Sequence, residues 1–111
     1  MDQSSYELVG DLAVRSLSNV HLGLVFQGVS GINQNFGFSV ADEPAAVVAR
    51  AFRAAAEQII VVADHTKIGQ ASFVRASPLT RVDTLITDDG ISDEQRQALT
   101  GAGLNTLVDS G

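Results

Sequence analysis

Four consecutive β-branched residues, Ile59 to Val62, separate a helix-patterned segment from a polar loop, and no other stretch constrains the fold of this chain so tightly. A run of this kind offers no polar face, so it suits a strand buried on both sides by helices better than a half-exposed one. The full stretch reads Gln58-Ile-Ile-Val-Val-Ala-Asp-His-Thr-Lys-Ile-Gly69, which places Asp64, His65, Thr66 and Lys67 directly after the strand. In open α/β sheets the loops past the carboxyl ends of the strands are where ligands bind. Lys67 is also the single lysine of the chain.

At 111 residues the chain suits one domain, 1–111, and a domain of this size buries roughly 65% of the surface its unfolded chain exposes. The apolar fraction of 45% and charged fraction of 18% are those of a globular chain. No apolar run approaches the roughly 20 residues that span a bilayer, so no membrane partner is expected. Met1-Asp-Gln-Ser-Ser5 lacks the basic and apolar regions of a signal peptide, and with no cysteine there is no disulfide framework or thiolate metal site. The expected location is the cytoplasm. Thirteen acidic side chains against seven basic ones give a net charge of −6, which repels a nucleic-acid backbone. DNA binding by this piece alone is therefore excluded. A small phosphorylated ligand remains compatible, because backbone N–H groups and one or two cations can hold a phosphate inside an acidic protein.

The periodicity predicts the following order. Tyr6 to Asn19 reads as a short helix, and Val20 to Val29 as a strand with Leu22, Leu24, Val25 and Phe26 as its core. The strand runs into Gln27-Gly-Val-Ser-Gly-Ile32, whose two glycines let the backbone approach a ligand or another segment closely. Asn33 to Asp42, polar and glycine-containing, reads as a loop. Glu43-Pro44 opens a helix over Pro44 to Glu57, with Val47, Val48, Ala51, Phe52 and Ala55 on one face. Gln58 to Asp64 is then the central strand. Ala71 to Val74 reads as a helical turn or extended piece ended by Ser77-Pro78, and Val82 to Thr87 as a further strand. Ser92-Asp-Glu-Gln95 has the pattern of a capping box opening a helix to Thr100, and Leu104 to Val108 is a last short strand. The sum is a three-layer α/β fold, a mostly parallel sheet of about four strands flanked by helices.

No complete catalytic constellation is visible. There is no Gly-x-Ser-x-Gly elbow, no phosphate-binding nucleotide fingerprint, and no metal-ligand spacing between His21 and His65. His21 reads as a surface residue at a strand start, His65 as a solvated loop residue, and Asp88-Asp89-Gly90 as a turn. No cofactor, metal or catalytic residue is expected.

Four motifs, taken in order, carry a resemblance: Tyr-Glu-Leu-Val-Gly (Tyr6 to Gly10), Gly-Val-Ser-Gly-Ile (Gly28 to Ile32), Asp-His-Thr-Lys-Ile-Gly (Asp64 to Gly69) and Val-Asp-Thr-Leu-Ile-Thr-Asp (Val82 to Asp88). Over nearly its whole length the chain resembles the carboxy-terminal sensor domain of DeoR-family transcriptional repressors. The resemblance implies a fold shared with ribose-5-phosphate isomerase, a phosphorylated sugar as effector, and a winged helix-turn-helix upstream that controls DNA binding. Nothing basic precedes Tyr6, so the chain corresponds to the second part of such a sensor domain, without the helix-turn-helix. Carried over by position, Gly28, Ser30 and Gly31 line the sugar site, Ser39 and Asp42 form a loop that closes it, and Asp64 and Lys67 face the ligand. A homo-oligomer is the expected assembly.

The departures from the isomerases bear on activity. Where those enzymes carry acidic residues beside the first glycine motif, this chain has Gln27 and Ser30, and Ala45 and Ala49 replace the family's usual acidic and lysine residues early in the following helix. Proton transfer needs a base within reach of the carbon-bound proton. The expectation is therefore a sensor that is not an enzyme, with a sugar-phosphate isomerase as the alternative.

Overall fold

In a computed structural model that describes residues 14–17 and 19–109, the elements follow in the order β1 (Leu22–Gln27), β2 (Gly31–Asn33), β3 (Gly37–Val40), α1 (Glu43–Ala55), β4 (Ala56–Val62), β5 (Val74–Ser77), β6 (Thr84–Asp88), α2 (Asp93–Gly101) and β7 (Asn105–Asp109). Short 3-10 turns fill His65–Lys67 and Leu79–Arg81. Strands β1, β4, β6 and β7 form a parallel sheet in that order, so β4 is an interior strand, flanked by β1 (Phe26 opposite Ile60) and β6 (Val61 opposite Leu85). The fold is the expected α/β arrangement, a four-stranded parallel sheet flanked by helices. Of the predicted first helix, residues 14–17 are described and helical; its earlier part and the Tyr6 to Gly10 motif lie outside the described residues.

Helices α1 and α2 start where their caps place them. Asp42 accepts the Ala45 backbone N–H at 2.9 Å, and Pro44 occupies the first turn, where it lacks only a donor that would be unpaired. Ser92 and Gln95 form the complete capping box, each side chain accepting the other's backbone N–H at 3.1 Å.

A second, antiparallel sheet in the order β2-β3-β5 was not expected from the sequence. It replaces the loop predicted over Asn33 to Asp42 with a hairpin. The Asn33 side chain accepts the backbone N–H groups of Asn35 (2.9 Å) and Phe36 (2.8 Å), which closes the turn, and Gly37 to Val40 then run fully buried. Three- and four-residue strands with glycine and serine in buried positions carry no readable alternation. In the same way Ala71 to Val74 leads into β5, which begins at Val74 and pairs with β3.

The main core joins the two sheets. Ile59, Val61 and Leu85 point from the parallel sheet onto Ile32 and Phe38 of the small one, with Leu79, Leu99 and Leu104 closing the cluster. A smaller cluster sets Ala46 of α1 against Val40 and Ala76. The other face of the parallel sheet differs from expectation. Val62 is 47% exposed, so the Ile59 to Val62 run is not buried on both sides, and Leu24 (45%) and Phe26 (62%), expected in the core, are exposed beside it. Because β1 and β4 are parallel and in register, Leu24 and Phe26 alternate away from Val25, which packs on the core.

Candidate functional site

Three parallel strands end side by side, and the segments beyond them hold most of the polar residues singled out above. Gln27 lies opposite Val61, and Val62 opposite Ile86, so Gly28 to Gly31, Ala63 to Gly69 and Asp88 to Gly90 leave the same edge of the sheet. The first two segments are stitched together: Gly69 N–H donates to Ile32 O at 2.7 Å, and Ile32 and Ile68 form a parallel bridge.

Within this edge the expected ligand residues divide. Gly28 and Asp42 share a cavity of about 370 Å³ between the end of β1 and the start of α1, with Gln27, Val48 and Phe52 also on its wall. Gln27 is held there by its amide, which donates to Ala49 O at 3.0 Å. Ser30 is exposed, its backbone N–H donating to Ser39 O at 2.9 Å. Gly31 and Ser39 lie in the interior. The Ser39 hydroxyl accepts the Ser72 N–H at 2.8 Å, and a Cβ on Gly31 would stand 2.6 Å from Gln70 O and 2.7 Å from Ser39 Oγ. No side chain fits at position 31, so this glycine is what allows the two loops to close on one another.

Asp64 and Lys67 sit on the turn after β4. Asp64 caps that turn, accepting the Thr66 N–H at 2.9 Å and the Thr66 hydroxyl. These hydrogen bonds hold its carboxyl below the usual carboxylate range, and the positive charge of Lys67 works in the same direction. Lys67 itself is half-buried, and among the described residues no carboxylate lies within ion-pairing distance of its ammonium. The pairing with Asp64 or Asp42 that a strand-end lysine invites is thus not made; each carboxylate instead caps a turn or helix through one of its oxygens.

One pair was not legible in the sequence. His65 Nδ1 lies 3.0 and 3.1 Å from the two carboxylate oxygens of Asp88, and the His65 backbone N–H donates to Asp88 Oδ1 at 2.9 Å. The Asp88 carboxyl is held below its usual range, chiefly by the hydrogen bond from the imidazole. Gly90 backs the ring so closely that a Cβ there would fall 2.3 Å from Nδ1. His65 is therefore a positioned imidazole, not a free loop side chain, and Asp88-Asp89-Gly90 is more than a turn. The available signal was positional: one partner closes β6 and the other follows the end of the neighbouring parallel strand β4. Behind them, Thr87 is buried and its hydroxyl has no hydrogen-bond partner among the described residues. Among the described residues no group of three His, Asp or Glu side chains is placed to hold a metal ion.

Among the described residues, the carboxyl edge of the parallel α/β sheet gathers capped turns, an unpaired cation and polar groups, at the place where open α/β sheets bind their ligands. Residues 1–89 match the sequence profile of the DeoR C terminal sensor domain, and the chain belongs to the DeoR family as a sensor domain of its transcriptional repressors. It is similar to the putative aga operon transcriptional repressor of Escherichia coli O157:H7, 33% identical over 106 residues, which covers 96% of this chain and 39% of that protein. It is likewise similar to the HTH-type transcriptional repressor GlcR of Bacillus subtilis (strain 168), 37% identical over 81 residues and covering 73% of this chain and 31% of the repressor. The HTH-type transcriptional regulator GlpR of Haloferax volcanii is 29% identical over 102 residues, 92% of this chain and 40% of that protein. The chain thus spans about two fifths or less of the length of these relatives.

Proposed function

We propose that the 111 residues are the second part of an effector-sensing domain that binds a phosphorylated sugar at the carboxyl edge of the parallel sheet. Occupancy would control DNA binding by a helix-turn-helix segment of a longer, cytoplasmic, homo-oligomeric repressor. The observation that carries this reading is Lys67: a half-buried cation at a strand end, without a carboxylate partner among the described residues, in a chain of net charge −6. An anionic oxygen is the group that such an ammonium lacks. Gly28 and Ser30 supply backbone and hydroxyl contacts, and Asp42 and Asp64 have free carboxylate capacity for sugar hydroxyls. Gly31 and Ser39 brace the two loops from beneath, so their part in the site is to shape it.

The isomerase alternative has less support. Gln27 stands where a carboxylate base is needed, and its amide is tied to Ala49 O. A sensor needs no base, only a ligand-dependent shape.

Lys67→Ala in the full-length protein tests the reading, with sugar-phosphate affinity measured by calorimetry beside the melting temperature. A charge-assisted hydrogen bond contributes about 1.5–3 kcal/mol, so affinity is expected to fall roughly 10- to 100-fold while stability changes by less than about 0.5 kcal/mol. Unchanged affinity would refute the role of Lys67, and parallel losses of affinity and stability would make it structural.

A further inference from the structure

At the opposite, amino edge of the parallel sheet, a groove of about 410 Å³ opens where β4 begins and the chain enters β6, and Arg50, Arg53, Arg81 and Thr80 line it. Three of the seven basic side chains of an acidic chain converge on this groove, well apart from Lys67. Two acidic residues share it, and both are engaged. Glu57 bonds His21 Nε2 at 3.0 Å, and Asp83 Oδ2 accepts the Ile59 N–H at 2.8 Å.

The guanidiniums are only partly used. Arg50 meets Glu43 at 3.3 Å and donates to Arg75 O at 2.6 Å, and Arg53 donates to Ala76 O at 3.3 Å. Arg81 has no side-chain partner among the described residues. Burial of Arg53, then the nearness of Arg81 and of Arg50, pulls the Arg53 pKa down from its usual value, so the cluster works against its own charge. Each guanidinium has five donors, and the two carbonyl contacts leave most of them free. A planar fork with spare donors is the group best suited to a phosphate or another compact oxyanion.

We propose that this groove is a second anion site, taking the phosphate group of a small molecule between Arg53 and Arg81, with the Thr80 hydroxyl as a further donor. The volume is that of a small-ligand pocket. The site does not depend on the reading of the carboxyl edge, since the two share no residue.

The test is a titration of the whole chain with inorganic phosphate at constant ionic strength, followed through the backbone amides of residues 80–83 and the arginine Nε–H signals. Sodium chloride serves as the matched control. A saturable shift at 80–83 is expected, weakened about tenfold or more by Arg81→Ala, and only partly restored by Arg81→Lys, which keeps the charge and loses the fork. Lys67→Ala should leave this response intact. Because Arg81 has no side-chain partner among the described residues, its variants are expected to melt like the parent. Equal shifts with chloride, an undiminished response in Arg81→Ala, or saturation confined to residues 64–67 would each overturn the proposal. Glucose 6-phosphate in place of phosphate separates a site for the phosphate group alone, bound equally in both forms, from one that also reads the attached sugar.

Discussion

His65 and Asp88, 23 positions apart, fix one another through the His65 backbone N–H and an imidazole Nδ1 shared between the two carboxylate oxygens, and the pair ties the turn after β4 to the end of β6. Its acid dependence follows from the carboxylate. The Asp88 pKa is lower in the folded chain than in the unfolded one, so the contribution is complete above the ordinary Asp value of about 3.9 and is lost as pH falls through the lower folded value. Asp88→Asn removes the titrating group but keeps one acceptor oxygen. Melting curves from pH 7 to 2 should show the parent more stable than Asp88→Asn at neutral pH, with the gap closing on acidification. A gap independent of pH would mean that the charge of Asp88 is not what holds the imidazole.

At the scale of single elements, the two helices are anchored by different devices. Helix α1 is locked at its sides: Arg50 and Arg53 reach the carbonyls of Arg75 and Ala76 on β5, an edge strand of the small sheet whose outer acceptors would otherwise face solvent. Helix α2 is nine residues long, shorter than an isolated helix can be in water, and it delivers one buried leucine, Leu99, to the core. Its capping box therefore carries a larger share of its stability. Ser92→Ala is expected to cost about 1 kcal/mol, read as a lower denaturation midpoint at unchanged slope, with amide exchange rising most across residues 93–97.

For the whole molecule, the order β1-β4-β6-β7 has one direction, each crossover stepping the same way along the sheet. Right-handed crossovers that step the same way lay their connections on the same face. That face is the core, and the other keeps Leu24, Phe26, Val62 and Leu107 exposed. Two phenylalanines should therefore behave in opposite ways. Phe38 is 1% exposed at the centre of the main core, and Phe38→Ala is expected to cost about 3–5 kcal/mol. Phe26 is 62% exposed on a strand of the same fold, and Phe26→Ser should change stability by less than about 0.5 kcal/mol. Urea denaturation of the two variants at equal protein concentration checks the contrast; a large loss for Phe26→Ser would show that this face is covered in solution.

What the sequence determined by itself was local. The β-branched run from Ile59 to Val62, the proline at the start of α1 and the Ser92 to Gln95 box each state their element through nearest-neighbour chemistry, and all three elements are present. Lys67 and Asp64 were legible as the residues that follow the β-branched strand. What only the tertiary structure decided rests on partners distant in the chain. Whether Leu24 and Phe26 are core or surface depends on which face the crossovers cover, and apolar character does not encode that. The β2-β3-β5 sheet depends on pairing Ser39 with Arg75, and the imidazole of His65 on a carboxylate 23 residues away. Such pairings are set by how the chain folds back on itself, which no local pattern of residue types specifies.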